Sequence, residues 1–261
     1  MTAAHPATLT DELTQALRAW LADDTQREAA LLSQGYQGSA YLYAATVNSQ
    51  PVRLVIKRAA PGWLTGWLNR LMLAREARVY QRIASVSGVP HSPGMLDDEW
   101  LLLEFIEGRP LKAARYDLAD PEAFYARLLG VLQDFHAEGV AHGDLKRKQN
   151  VLVTADEQPY VIDFGTAVMR DGNMIDRLLF RLVRRFDYNA WVKVKYENDY
   201  SAIAPEDARW YRPTLVESVF SGVRRFWRTI TFRQARRRRR GARRRAAQAR
   251  EQAAKQPKAK P

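Results

Sequence analysis

The sequence predicts an α+β chain, a small and mostly β half followed by a mostly helical half and a polycationic tail. Three observations predict it. Two β-rich runs, "GYQGSAYLYAATV" (35–47) and "PVRLVIKRA" (51–59), are separated by only "NSQ", the spacing of a hairpin. Beyond residue 120 the period changes, and Phe124, Leu128, Leu129, Leu132 and Phe135 recur on one helical stripe. Charge is also segregated: 16 of the 41 Lys and Arg but one of the 29 acids lie from Arg224 onward, a net of +15 that leaves residues 1–223 at −3.

Each element has its own signal. Residues 11–30 read as one helix, with Leu13, Leu17, Trp20 and Leu21 at helical spacing and acids in the first turn, where the helix dipole favours them. This helix is expected to form a lid on the β half. After the hairpin, "LAREARVYQRIA" (73–84) is helical. The preceding "GWLTGWLNRLML" (62–73) gathers Trp63, Leu64, Trp67, Leu68 and Leu71 on one face, for packing on the β half or, as the alternative, for a membrane. "EWLLLEFIEG" (99–108) is a buried strand leading into a Gly-ended connector. Asp120 caps a helix with Pro121 in its first turn, and Gly139 ends the stripe. "NVLV" and "PYVIDF" are short strands, and 174–195 and 205–230 are helical. Pro205, Glu206 and Asp207 read as a helix start rather than as an "APE" motif. In 216–232, Val216, Val219, Phe220, Val223, Trp227 and Ile230 face away from arginines, the pattern of a membrane-surface helix or of a last core helix.

Composition narrows the function classes. With no cysteine there is no disulfide framework, thiolate metal site or Cys nucleophile, which fits a reducing compartment. The N-terminus has no basic start followed by an apolar stretch, and no run of about 18 apolar residues occurs. A cytoplasmic protein, peripheral at the inner face of the cytoplasmic membrane through its basic tail, is the expectation.

The residues that carry chemistry are polar groups placed at the ends of these elements. Phosphoryl transfer from ATP needs a lysine on the nucleotide, carboxylate and amide ligands for Mg²⁺, and a carboxylate near the acceptor hydroxyl. "LVIK" places Lys57 on a strand, and Glu76, 19 residues later on a helix, is a candidate partner. Asp144 follows "HG" after the helix, Lys146 is two residues on, Asn150 opens a strand, and Asp163 closes the next as "IDFG". Asp144 and Asp163 sit among apolar residues, where an unpaired carboxylate is costly.

This ordered set resembles the protein-kinase-like superfamily over roughly residues 33–170. The resemblance implies a bilobal protein-kinase-like fold that uses ATP and Mg²⁺. It implies that Lys57 holds the α- and β-phosphates, oriented by Glu76. Asp144 would orient the acceptor hydroxyl, Lys146 would steady the transferring phosphate, and Asn150 and Asp163 would bind the metal. Glu104 and Ile106 would pair with adenine through their backbone. Gly35, Gly38 and Ser39 would cover the phosphates.

Two departures accompany it. Five residues, Leu145 to Gln149, separate Asp144 from Asn150 where the family has four. Either the loop bulges or Gln149 takes the metal side; Asn150 is favoured because it directly precedes "VLV". "GYQGSA" also lacks the full glycine loop, which resembles RIO-type and lipopolysaccharide-core kinases. The expected organisation is an N-terminal helix (1–32), an N-lobe (33–106), a C-lobe (107–222) and a basic helix and tail (223–261). The expected acceptor is a lipopolysaccharide-core-type sugar of a glycolipid at an anionic membrane surface. The alternatives are protein Ser/Thr, or an RNA- or ribosome-associated ATP-binding protein whose tail contacts nucleic acid.

Overall fold

The computed structural model describes residues 9–35, 38–61 and 66–212. Tyr36 and Gln37 of the glycine-loop stretch, Trp63 and Leu64, the 216–232 stretch and the basic tail lie outside the described residues.

The N-terminal helical stretch is two helices rather than one, α1 (Asp11–Ala22) and α2 (Asp24–Ala29). Asp23 between them is extended, and its carboxylate accepts from the N–H groups of Thr25 and Gln26. A side chain that caps a new helix competes with continuing the old one, and periodicity alone does not register that. β1 (Leu31–Gln34), β2 (Gly38–Val47), β3 (Gln50–Ala59), β4 (Gly94–Leu96) and β5 (Trp100–Glu104) form an antiparallel sheet in the order β1-β2-β3-β5-β4. β1 and β4 carry no periodic signal in the sequence. The β2–β3 turn is Asn48-Ser49, both at positive φ, as a two-residue hairpin requires.

The sheet is covered on both faces, which explains the unbroken "WLLL". Alternate residues Trp100 and Leu102, with Val52, Leu54 and Ile56 of β3, pack on Leu13, Leu17 and Leu21 of α1. Leu101 and Leu103 point the other way, into a core with Leu73, Ala77, Tyr80 and Ile83 of α3 (Gly66–Arg82) and its C-terminal extension. The lid is thus a second apolar layer on the outside of the sheet. The start of α3 departs from the expected packing: Trp67 is 64% and Leu71 57% exposed, because the buried face of the helix runs through Asn69, Leu73, Glu76 and Tyr80.

The helical half contains α4 (Leu111–Ala114), α5 (Pro121–Ala137), α6 (Met174–Lys195) and α7 (Pro205–Ala208). Asp120 caps α5 through the N–H of Ala123. β6 (Arg109–Pro110), β8 (Val151–Val153) and β9 (Pro159–Val161) form one small antiparallel sheet, and β7 (Val140–Ala141) pairs with β10 (Val168–Met169). These two sheets present residues 142–150 and 162–167 to the five-stranded sheet. Pro205 does open a helix, α7, but of a single turn: residues 209–212 are not helical, short of the expected 205–230, and the rest of that stretch lies outside the described residues.

Candidate active site

Lys57 leaves β3 on the face opposite α1, and Glu76 is on the buried side of α3. Lys57 Nζ lies 2.6 Å from Glu76 Oε1 and 2.9 Å from Asp163 Oδ1. Burial on its own would lower the Lys57 ammonium, but Glu76 and Asp163 more than offset it and hold the group above its ordinary value. Burial pushes the Glu76 carboxyl up against the pull of Lys57. Asp163 is about half exposed; partial desolvation opposes its ionisation, yet Lys57 outweighs it and holds this carboxyl below the usual range. A lysine in contact with two carboxylates from different elements fixes the sheet, α3 and residue 163 relative to one another.

Asp163 adopts a left-handed backbone (φ 68°), a conformation that is costly for a residue with a side chain and is maintained by its surroundings. Its N–H donates to Tyr80 Oη (3.2 Å). Phe164 is fully buried, with its ring 4.8 Å from that of His142, 5.3 Å from Tyr80 and 5.6 Å from Phe135. That packing aims Asp163 at Lys57. Gly165 comes next under Glu76, whose Oε2 would meet a Cβ there at 3.4 Å.

The 142–150 loop hangs from a buried carboxylate that no sequence motif marks. Asp187, on α6, accepts from the N–H of His142 (Oδ2, 2.7 Å) and of Gly143 (Oδ1, 2.8 Å), with His136 Nε2 3.0 Å from Oδ2. It sits mid-helix as "RFDYNAW"; a lone acid in an otherwise apolar and basic face was the available signal. His136 is accordingly a buried partner of Asp187. His142 bridges the two halves of the site. Its Nε2 faces the carbonyl of Ile162 (3.0 Å) and its Nδ1 accepts the N–H of Asp144 (3.1 Å), so the ring carries its proton on Nε2. With both nitrogens engaged, it braces the loop. Gly143 has φ 80° and leaves only 3.2 Å between a would-be Cβ and Val183 Cγ1 of α6, so a side chain there is strained and crowded.

The extra loop residue is absorbed by two successive turns, Arg147 N–H to Asp144 O (3.2 Å) and Asn150 N–H to Arg147 O (2.8 Å). Asn150 is buried and its Nδ2 donates to Asp144 O (3.2 Å), while Gln149 is exposed. The Asn150 carbonyl accepts from the N–H of Ile162 (2.9 Å), which sets it next to Asp163. Its amide nitrogen being engaged, Oδ1 is the atom left for a metal, and with the Asp163 carboxylate this oxygen pair fits Mg²⁺, which takes few protein ligands beside phosphates. Asp144 is buried, with Oδ2 3.0 Å from Arg147 Nε, a second contact the sequence did not reveal. Lys146 is exposed, with Nζ 6.0 Å from the Phe186 ring centroid.

The nucleotide side is less complete. Gly38 opens β2, where a Cβ would stand 1.9 Å from the Arg58 carbonyl oxygen, so only glycine fits. The N–H of Gly35 donates to Gly38 O (2.8 Å), and Ser39 pairs with Arg58 across the hairpin. The Glu104 amide donates to His91 O (2.8 Å) at the end of β5, and Ile106 lies in the connector beyond it.

A β-rich lobe and a helical lobe meeting at a Lys–Glu–Asp cluster, beside a braced His-Gly-Asp loop, define a protein-kinase-like fold. Within it the likeness is to the atypical RIO type: the RIO domain family matches residues 65–188. Serine/threonine-protein kinase PknH of Mycobacterium bovis is 31% identical over 144 residues, 52% of this chain and 24% of that protein. PknD and PknE of Mycobacterium tuberculosis are each 31% identical, over 52% and 60% of this chain and 21% and 30% of their own lengths. The chain therefore spans less than a third of these relatives.

Proposed function

We propose that this chain is an ATP- and Mg²⁺-dependent phosphotransferase that acts on Ser or Thr hydroxyls of a protein, as an atypical, RIO-like kinase. The contact of Lys57 with both Glu76 and Asp163, with Asn150 held beside Asp163 by the N–H of Ile162, carries the reading. Lys57 holds the nucleotide phosphates, Asp144 orients the acceptor hydroxyl and takes its proton, and Lys146 steadies the transferring group. Asp163 and Asn150 Oδ1 hold the metal, which when bound neutralises phosphate charge. Glu104 and Ile106 hold adenine through their backbone, and Gly35, Gly38 and Ser39 lie over the phosphates.

The lipopolysaccharide-type sugar expected from the short glycine loop finds no support among the relatives, which are named Ser/Thr-protein kinases. A protein acceptor fits them better. Attachment to an anionic membrane surface remains part of the proposal, resting on the +15 tail and its Trp and Phe; nucleic acid is the competing partner.

The test is transfer of label from γ-labelled ATP into a fractionated extract. We expect label in protein Ser/Thr. Asp144→Ala should reduce transfer at least a hundredfold with nucleotide binding largely intact, whereas Asp163→Ala should also lose Mg²⁺-dependent nucleotide binding. Label confined to glycolipid would replace the acceptor; equal loss of nucleotide affinity in both variants would contradict the assigned roles.

A further inference from the structure

We propose that the cleft between residues 170–172 and the first three turns of α6 is a binding site for a phosphate group, separate from the nucleotide site. It encloses about 460 Å³ and is lined by Arg170, Gly172, Arg177, Phe180, Arg181 and Arg184. Arg177, Arg181 and Arg184 are four and three residues apart, so they share one face of α6. Arg170 enters from the opposite wall, its N–H tied to Gly139 O (2.8 Å). The buried Phe180 ring forms the floor, with the guanidinium carbons of Arg170 and Arg184 at 5.5 and 5.8 Å from its centroid.

Among the described residues none of the four guanidiniums is in an ion pair, and the nearby carboxylates are engaged elsewhere. Asp171 binds Arg82 (2.7 Å), and Asp176 accepts from the Asn173 amide (2.7 Å). Four like charges around one cavity repel one another and concentrate positive potential in it, and a planar guanidinium fork matches phosphate oxygens. The phosphate does not come from this segment. Between Gly165 and Tyr188 the single hydroxyl is that of Thr166, which donates to His142 O (3.1 Å). The proposed ligand is an external one, a soluble phosphate compound or a lipid headgroup. Met174 (85% exposed), Ile175 (70%) and Leu178 (66%) beside the arginines offer an apolar contact in the second case.

The site is tested on the full chain by calorimetric titration with pyrophosphate in EDTA. All proteins carry Lys57→Ala, so that the nucleotide cleft does not contribute. We expect Arg177→Ala with Arg181→Ala to weaken binding at least fivefold. Lys112→Ala with Arg185→Ala removes the same charge from exposed positions outside the cleft and should leave affinity within twofold. Equal affinity in the cleft variant and its parent, or an equal loss in both double variants, would overturn the proposal. Sedimentation with vesicles of phosphatidylglycerol and phosphatidylcholine separates the sources. A headgroup site requires vesicle binding to fall in the cleft variant and in Met174→Ser with Leu178→Ser. Vesicle binding unchanged in both, with pyrophosphate binding lost in the cleft variant, assigns the site to a soluble phosphate compound.

Discussion

Asn150 and Gln149 differ by one position in sequence and by everything in environment. Asn150 is buried and bonded to the Asp144 carbonyl, whereas Gln149 faces solvent. Asn150→Ala should therefore raise the Mg²⁺ requirement of transfer severalfold while Gln149→Ala leaves it within twofold, as read from rate against Mg²⁺ concentration; the reverse ranking would shift the loop register by one. Asp163 gives a pH prediction. Its folded pKa lies below the ordinary aspartate value of about 3.9 because of Lys57, the side chain being about half exposed. The stabilisation it contributes is thus fully present above the unfolded value and lost as pH falls through the lower folded value. Lys57→Met removes the cation that favours the carboxylate, so the Asp163 carboxyl should titrate at higher pH by NMR, and the acid-unfolding midpoint should rise with it.

At the scale of elements, α6 holds the catalytic loop through one side chain. Removing the Asp187 carboxylate leaves two backbone N–H groups and His136 facing a void, and an unsatisfied buried donor costs about 1–3 kcal/mol. Asp187→Ala should accordingly lower unfolding free energy by about 3–5 kcal/mol in urea, and Asp187→Asn, which keeps one acceptor oxygen, by less. Both should impair transfer more than nucleotide binding, since the loop and not the Lys57 cluster is loosened. The elements themselves were unequally legible. The β2–β3 hairpin, α5 with its Asp120 cap, and α6 announce themselves through period, turn and cap residues. β1 and β4 do not: each is three or four residues long and becomes a strand only by pairing with a neighbour.

At the scale of the whole molecule, charge and chemistry are divided between separate parts of the chain. Deleting residues 224–261 removes a net +15 and none of the proposed site residues, so transfer to a small soluble acceptor should persist. Binding to anionic vesicles should fall and lose most of its salt dependence, because each basic side chain near such a surface contributes about 1 kcal/mol, screened over roughly a Debye length. Trp227→Ala with Phe220→Ala in the full chain leaves every charge in place. A severalfold loss of vesicle binding with unchanged RNA binding would mark apolar insertion, and parental vesicle binding would remove the case for a membrane.

The sequence by itself determined the fold class, with its β-rich part before its helical part, and singled out Lys57, Glu76, Asp144, Asn150 and Asp163 as candidates. Hydrophobic period is a local property, and these polar residues stand out by their order and spacing along the chain. Tertiary structure alone decided that Lys57 touches Asp163 across a separation of 106 positions, that Asp187 suspends the loop, and that four arginines surround one cleft. Those are meetings of distant segments, set by how the sheet, α3 and α6 pack, and no local pattern encodes which solvated charge will be carried into contact with which.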